Sequence, residues 1–91
     1  MRICVAGLWH LGSVTAACLA ARGHDVVGYD ADAATVSALS AGRPPILEPG
    51  LAELVADGIA AGRLRFTADA ADALAGVEVL WVAYDTPVDH V

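Results

Sequence analysis

Residues 5–30 read "VAGLWHLGSVTAACLAARGHDVVGYD", and the fold turns on how Gly7, Gly12 and Gly23 punctuate that stretch. It begins inside a short β-prone run, residues 2–6, whose unbroken apolar character suits a strand buried on both faces of a parallel sheet. Gly7 ends the run at a turn. Small and apolar residues then recur at Val14, Ala17, Cys18 and Ala21, the spacing of a helix over 11–22 with those four inward, and Gly23 supplies a left-handed stop. His24 and Asp25 turn the chain into a second apolar run, "VVGYD", residues 26–30. Strand, glycine turn, helix and strand in this order form a βαβ unit, which needs a parallel sheet.

The alternation continues beyond Asp30. Asp32 is placed to N-cap a short helix through Ser40, with Val36 and Leu39 inward and Gly42 ending it. The prolines of "GRPPILEPG" forbid helix there, and a third helix over 49–61 sets Leu51, Leu54, Val55 and Ile59 on one stripe before Gly62. "LRF" is a short strand, Thr67 caps a small helix through Leu74, and "VEVLWVA" is the strongest strand signal, with Trp81 expected in the core. The resulting order predicts an α/β fold: a Rossmann-like parallel sheet of strand order 3-2-1-4, half of the complete fold, with helices on both faces. Residues 1–91 form one domain, short of the roughly 150 residues of a full doubly wound nucleotide domain, so a fragment of a longer protein is expected. The last strand lacks its usual neighbour, and a homo-oligomer through that edge is the expected consequence.

Eleven acids against five arginines and no lysine, a net charge of −6, disfavour nucleic acid and anionic lipid as partners. Cys4 and Cys18 lack the spacing of a metal site or a disulfide framework and read as buried small hydrophobes in a reducing compartment. The apolar start of the chain is broken by Gly7 and Gly12 where a strand-to-helix turn needs them, so an export signal is disfavoured, a cytoplasmic location is expected, and no stretch approaches a membrane span.

Glycines between a strand and a helix N-terminus are the means by which backbone N–H groups and the helix dipole hold a pyrophosphate. Gly7 and Gly12 take the first and third positions of the dinucleotide fingerprint Gly-x-Gly-x-x-Gly, and Asp30 ends the second strand eighteen positions beyond Gly12. Asp30 would accept from both hydroxyls of an adenosine ribose and repel a 2′-phosphate, so NAD is favoured over NADP. The alternative for Asp30 is a strand end that helps cap the next helix. His10 could donate to phosphate, although a loop histidine beside apolar residues is more often a partly exposed surface group.

The run from Met1 to Asp30, "AGRPPILEPGLAEL", "GRLRFTAD" and "WVAYDTP" together resemble the N-terminal NAD-binding domain of the UDP-glucose/GDP-mannose dehydrogenase family, over essentially the whole chain. The proline-rich "GRPPILEPGL" is the specific part of the likeness, and it disfavours the hydroxyacyl-CoA and 6-phosphogluconate types of dehydrogenase. The resemblance implies an NAD-dependent oxidoreductase that oxidises the C6 alcohol of a nucleotide sugar to the acid. It also implies a nucleotide-sugar substrate held by parts of the protein outside this chain, with the catalytic residues there too; neither cysteine here matches the family's nucleophile. The cofactor positions it implies are Gly7, Trp9, His10, Leu11 and Gly12 at the phosphate turn, Asp30 at the ribose, and Asp85 and Thr86 after the fourth strand.

Three of these cofactor-facing positions depart from the family's usual residues. Trp9 replaces the middle glycine, Thr35 stands where a basic residue commonly approaches the ribose, and Asp85 replaces the glycine before Thr86. Trp9 is expected to turn away from the amide cradle, because an inward indole would occupy the space of the phosphates. The competing reading is a nucleotide-binding or interaction module with no enzymatic activity.

Overall fold

The structure, a computed structural model, describes residues 1–45 and 48–84. Four strands and four helices follow in the order β1 (Arg2–Ala6), α1 (His10–Ala21), β2 (Asp25–Tyr29), α2 (Ala33–Ser40), α3 (Leu51–Ala60), β3 (Leu64–Thr67), α4 (Ala70–Leu74) and β4 (Val79–Val82). The sheet is parallel throughout with order β3-β2-β1-β4. β1 is therefore central, with Cys4 opposite Val27 on one side and Leu80 on the other.

Side-chain alternation along the strands divides the core in two. Ile3, Val5, Val26 and Leu64 face α1, α2 and α3, where Leu8, Leu39, Leu51 and Val55 close the larger cluster. Cys4 and Val27 face the opposite side, where Ala73 of α4 covers them together with Tyr29 and Val77. Helices thus lie on both faces, and among the described residues the five-residue α4 is the one helix on the second.

The helix α1 buries Gly12, Ser13, Ala16, Ala17 and Ala20. Of the expected inward set only Ala17 is there; Val14 is half-buried, and Cys18 and Ala21 are exposed. Closeness, not hydropathy, chose this face: a Cβ on Gly12 would stand 1.5 Å from the Gly7 carbonyl oxygen, so only the smallest side chains fit beneath the helix. Ser13 is buried at no polar loss because its hydroxyl donates to the Leu8 carbonyl at 2.8 Å. Cys18, expected buried, is exposed, whereas Cys4 is fully buried.

Asp32 caps α2 by accepting from the Ala34 N–H at 3.0 Å, and Gly42 and Gly62 adopt φ of +81° and +73° just past their helices. At α4 the cap is Asp69, which accepts from the N–H groups of Ala71 and Asp72, whereas Thr67 is the last residue of β3 and its hydroxyl accepts from the Asp69 N–H. A Thr-x-Asp sequence offers two capping side chains two residues apart, and the stronger acceptor took the helix. Arg65 then ties β3 to α4 through Asp72 at 2.9 Å, and this hydrogen bond holds the Asp72 carboxyl below its usual pKa.

Trp81, expected in the core, is 46% exposed, and Val79, Leu80 and Val82 are exposed beside it. β4 pairs only with β1, and among the described residues no element packs beyond it. Its composition is nevertheless that of an interior strand.

Replacing Gly12 with Ala will destabilise the chain by about 3 kcal/mol or more, because the obstruction is backbone and cannot rotate away. Gly23→Ala, with φ of +94° but nothing within 4 Å of the added carbon, will cost only about 1–2 kcal/mol. Urea unfolding followed by circular dichroism measures both, and equal losses would show that the Gly7–Gly12 contact is not what limits the fold.

Candidate functional site

Gly7, with φ of +95°, turns the chain out of β1 directly into α1, and its N–H donates to the Tyr29 carbonyl at 2.8 Å. Leu8 points into the core and is fully buried; Gly28 on β2, having no side chain, leaves room for both Leu8 and Phe66. The turn is thereby pinned from below while its polar backbone faces the C-terminal end of the sheet.

Trp9 is the N-cap of α1 and supplies no side-chain cap, and the first turn carries no acidic residue. The Trp9 carbonyl accepts the first helical bond, from Ser13. The N–H groups of His10, Leu11 and Gly12 therefore have no partner among the described residues. Three unpaired donors at the positive end of a twelve-residue helix make an anion cradle. Trp9 has φ of −79°, so nothing in its backbone demands glycine, and the indole is 50% exposed rather than sunk in the turn. Leu11 is exposed on the same first turn.

Asp30, half-buried at the end of β2, is fixed from two directions. One carboxylate oxygen accepts from the Leu8 N–H at 2.9 Å, and the other accepts from the Asp32 N–H at 2.9 Å. The carboxylate is thus tied to the glycine turn across the β1–β2 gap, and each oxygen retains a lone pair for a further donor. Asp30 follows the end of β2 but does not cap the next helix, a part that Asp32 takes; toward α2 it accepts only the N–H of that capping residue.

Thr35 donates to the second Asp32 oxygen at 3.0 Å, so its hydroxyl completes the α2 cap. Asp85 and Thr86 lie outside the described residues. Two neighbours of the site had escaped the sequence. Tyr84 lies so close over Gly7 that a Cβ there would be 2.9 Å from its ring, and burial, followed by the charge of Asp30, pushes its phenol up from the usual value. Its place directly before Asp85 was the available signal. Glu48 accepts from His10 Nε2 at 2.8 Å across 38 residues of sequence, a pairing with no local signature. His10 and Glu48 are both exposed at this contact.

Cys4 lies on the opposite face of the sheet from the Leu8 cluster. It is buried in the α4-side core, and burial pushes its thiol up, an effect larger than the opposing pull of Arg65, so it is a poor nucleophile. Among the described residues no three His, Cys, Asp or Glu side chains gather as a metal site. No described helix is long and apolar enough to cross a membrane.

A parallel sheet with a glycine turn, an open helix N-terminus and a carboxylate at the next strand tip defines a dinucleotide-binding α/β domain. The comparisons make the class particular. The model of the UDP-glucose/GDP-mannose dehydrogenase family, NAD binding domain, matches residues 1–91, and the chain belongs to that family. It is 45% identical over 87 residues to GDP-mannose 6-dehydrogenase of Azotobacter vinelandii, covering 96% of this chain and 20% of that protein. It is 46% identical over 87 residues to UDP-glucose 6-dehydrogenase of Rhizobium meliloti (strain 1021), with the same shares covered. Among solved structures, a ternary complex of GDP-mannose dehydrogenase from Pseudomonas aeruginosa superposes with a TM-score of 0.93 at 39% identity, over 99% of this chain and 21% of that one. UDP-glucose dehydrogenase from Pyrobaculum islandicum gives 0.90 at 40% identity, over 98% and 21%. The chain thus spans about a fifth of the length of the relatives it matches.

Trp9→Gly will change NAD affinity by no more than about tenfold, or about 1.4 kcal/mol, in either direction, as read by calorimetric titration. Conversion of a non-binder into a tight binder would show the indole to be a plug. A loss beyond tenfold would show it to be a principal contact of the cofactor, stacked on one of its rings.

Proposed function

We propose that this chain holds NAD for a nucleotide-sugar dehydrogenase that oxidises a sugar C6 alcohol to the acid. The observation that carries the proposal is the bond between the Leu8 N–H and the Asp30 carboxylate, which locks an uncapped helix N-terminus and a ribose acceptor into one rigid unit. The amides of His10, Leu11 and Gly12 would take the pyrophosphate, with Gly7 and Gly12 keeping the backbone close and Trp9 flanking the turn. Asp30 would take the ribose hydroxyls, and Asp85 and Thr86 would complete the cofactor contacts beyond β4. Bound there, NAD supplies the hydride acceptor.

On this reading the residues of this chain bind and orient the cofactor and do not themselves act on the sugar. The nucleotide-sugar site, the nucleophile and the proton-handling groups belong to polypeptide outside residues 1–91, of which the relatives have about four times as much again. Both cysteines are free, which suits a reducing, cytoplasmic compartment.

Titration of the 91-residue chain will show NAD and ADP-ribose binding, with NADP weaker by about tenfold or more, and Asp30→Ala will narrow that gap. Mixed with NAD and either UDP-glucose or GDP-mannose, the chain will form no NADH by absorbance, since the reaction needs a second bound partner held against the cofactor. Turnover by pure chain would refute the assignment of catalysis to the rest of the protein.

The alternative, a module without enzymatic activity, draws on the exposed apolar residues of β4 as an association surface. On either reading the isolated chain will self-associate through β4 and the faces beside it. Sedimentation velocity will then show dimers or larger species that dissociate on dilution, and a monomer at high concentration would count against it.

A further inference from the structure

We infer that Glu48 is a positioning residue for the anion cradle, acting through His10; the inference rests on the reading that the α1 N-terminus takes a diphosphate. The first turn of a helix is normally steadied by a capping side chain or a first-turn acid, and α1 has neither. Its first residue, His10, is instead held from outside. Nε2 of His10 meets Glu48 Oε1 at 2.8 Å, and since an ionised carboxylate only accepts, the ring nitrogen is the donor.

Glu48 is itself anchored, because its carbonyl accepts from the Leu51 N–H at 3.0 Å where α3 begins, and Leu51 is buried in the core. The chain of support runs from the core through Leu51 and Glu48 to His10, whose own backbone N–H is one of the three unpaired donors. This gives Glu48 a task that neither the fold nor the cofactor contacts assign to it: it brings a carboxylate to the first residue of α1. Donors fixed beforehand bind an anion more tightly than donors that must be ordered on binding.

The test compares Glu48→Gln, which keeps an acceptor for the histidine, with Glu48→Ala, which removes it. In the ligand-free chain, ¹⁵N relaxation of the His10, Leu11 and Gly12 amides will show order parameters near the rigid value of about 0.85 for the parent and Glu48→Gln, and clearly lower values for Glu48→Ala. ADP-ribose affinity will fall about three- to tenfold in Glu48→Ala and less than about twofold in Glu48→Gln, while adenosine, which carries no phosphate, will bind all three alike. In a His10→Ala background the Glu48→Ala change will have no further effect. Unchanged order parameters in Glu48→Ala overturn the proposal whether or not any nucleotide binds, so it can fail separately from the NAD reading. ADP-ribose binding that is unchanged or tighter in Glu48→Ala also overturns it, the tighter case showing that Glu48 repels phosphate. An equal loss of adenosine overturns it as well, because a general structural defect would then be the cause.

Discussion

The Gly7 carbonyl oxygen occupies the place a side chain at Gly12 would need. That contact between backbone and backbone sets how closely α1 lies on the sheet, and the small residues on its buried face follow from it. The same closeness brings the helix N-terminus to the end of β1, where Leu8 turns inward and its N–H reaches Asp30. Fold and site share one cause here: a turn tight enough to seat the helix also leaves its first donors open at the C-terminal end of the strands, the place where open α/β sheets bind ligands.

What was legible in the sequence was what is local. Gly23, Gly42 and Gly62 ended helices as expected, each with positive φ, and Asp32 capped α2. The alternation of strand and helix led to the correct strand order, because few arrangements of short right-handed crossovers exist. The inward face of α1 was missed because the apolar pattern marks where hydrophobic residues are, not where there is room. The exposure of Trp81 runs against the composition of β4, which is that of an interior strand, because composition does not report what packs on a strand among the described residues. The bond between His10 and Glu48 joins residues 38 positions apart, and nothing in either residue's local sequence announces it.

Charge is sorted along the helix axes. Asp32, Glu53 and Asp69 stand at helix starts, where a partial positive charge receives them. Arg63 at the other end of the sheet donates to the Gly23 carbonyl just past α1 at 2.7 Å. Among the described helices of eight residues or more, α2 has Asp32 as its cap and α3 has Glu53 in its first turn, whereas α1 has no acid at either place. In a chain of net charge −6, the helix kept clear of its own acids is the one whose donors point at the candidate cofactor site.

The central position of β1 also orders the synthesis of the protein. β1 meets β2 within the first 29 residues, but its other edge waits for β4, and the Arg2 N–H finds Glu78 only across 76 positions. During translation the β1-α1-β2 unit therefore emerges with one edge of its innermost strand unpaired, and that edge stays open until β4 (Val79–Val82) has left the ribosome. Long-range parallel pairing of this kind is slow to form and exposed while it waits. The vulnerable edge of such a nascent chain belongs to the strand that ends up best hidden.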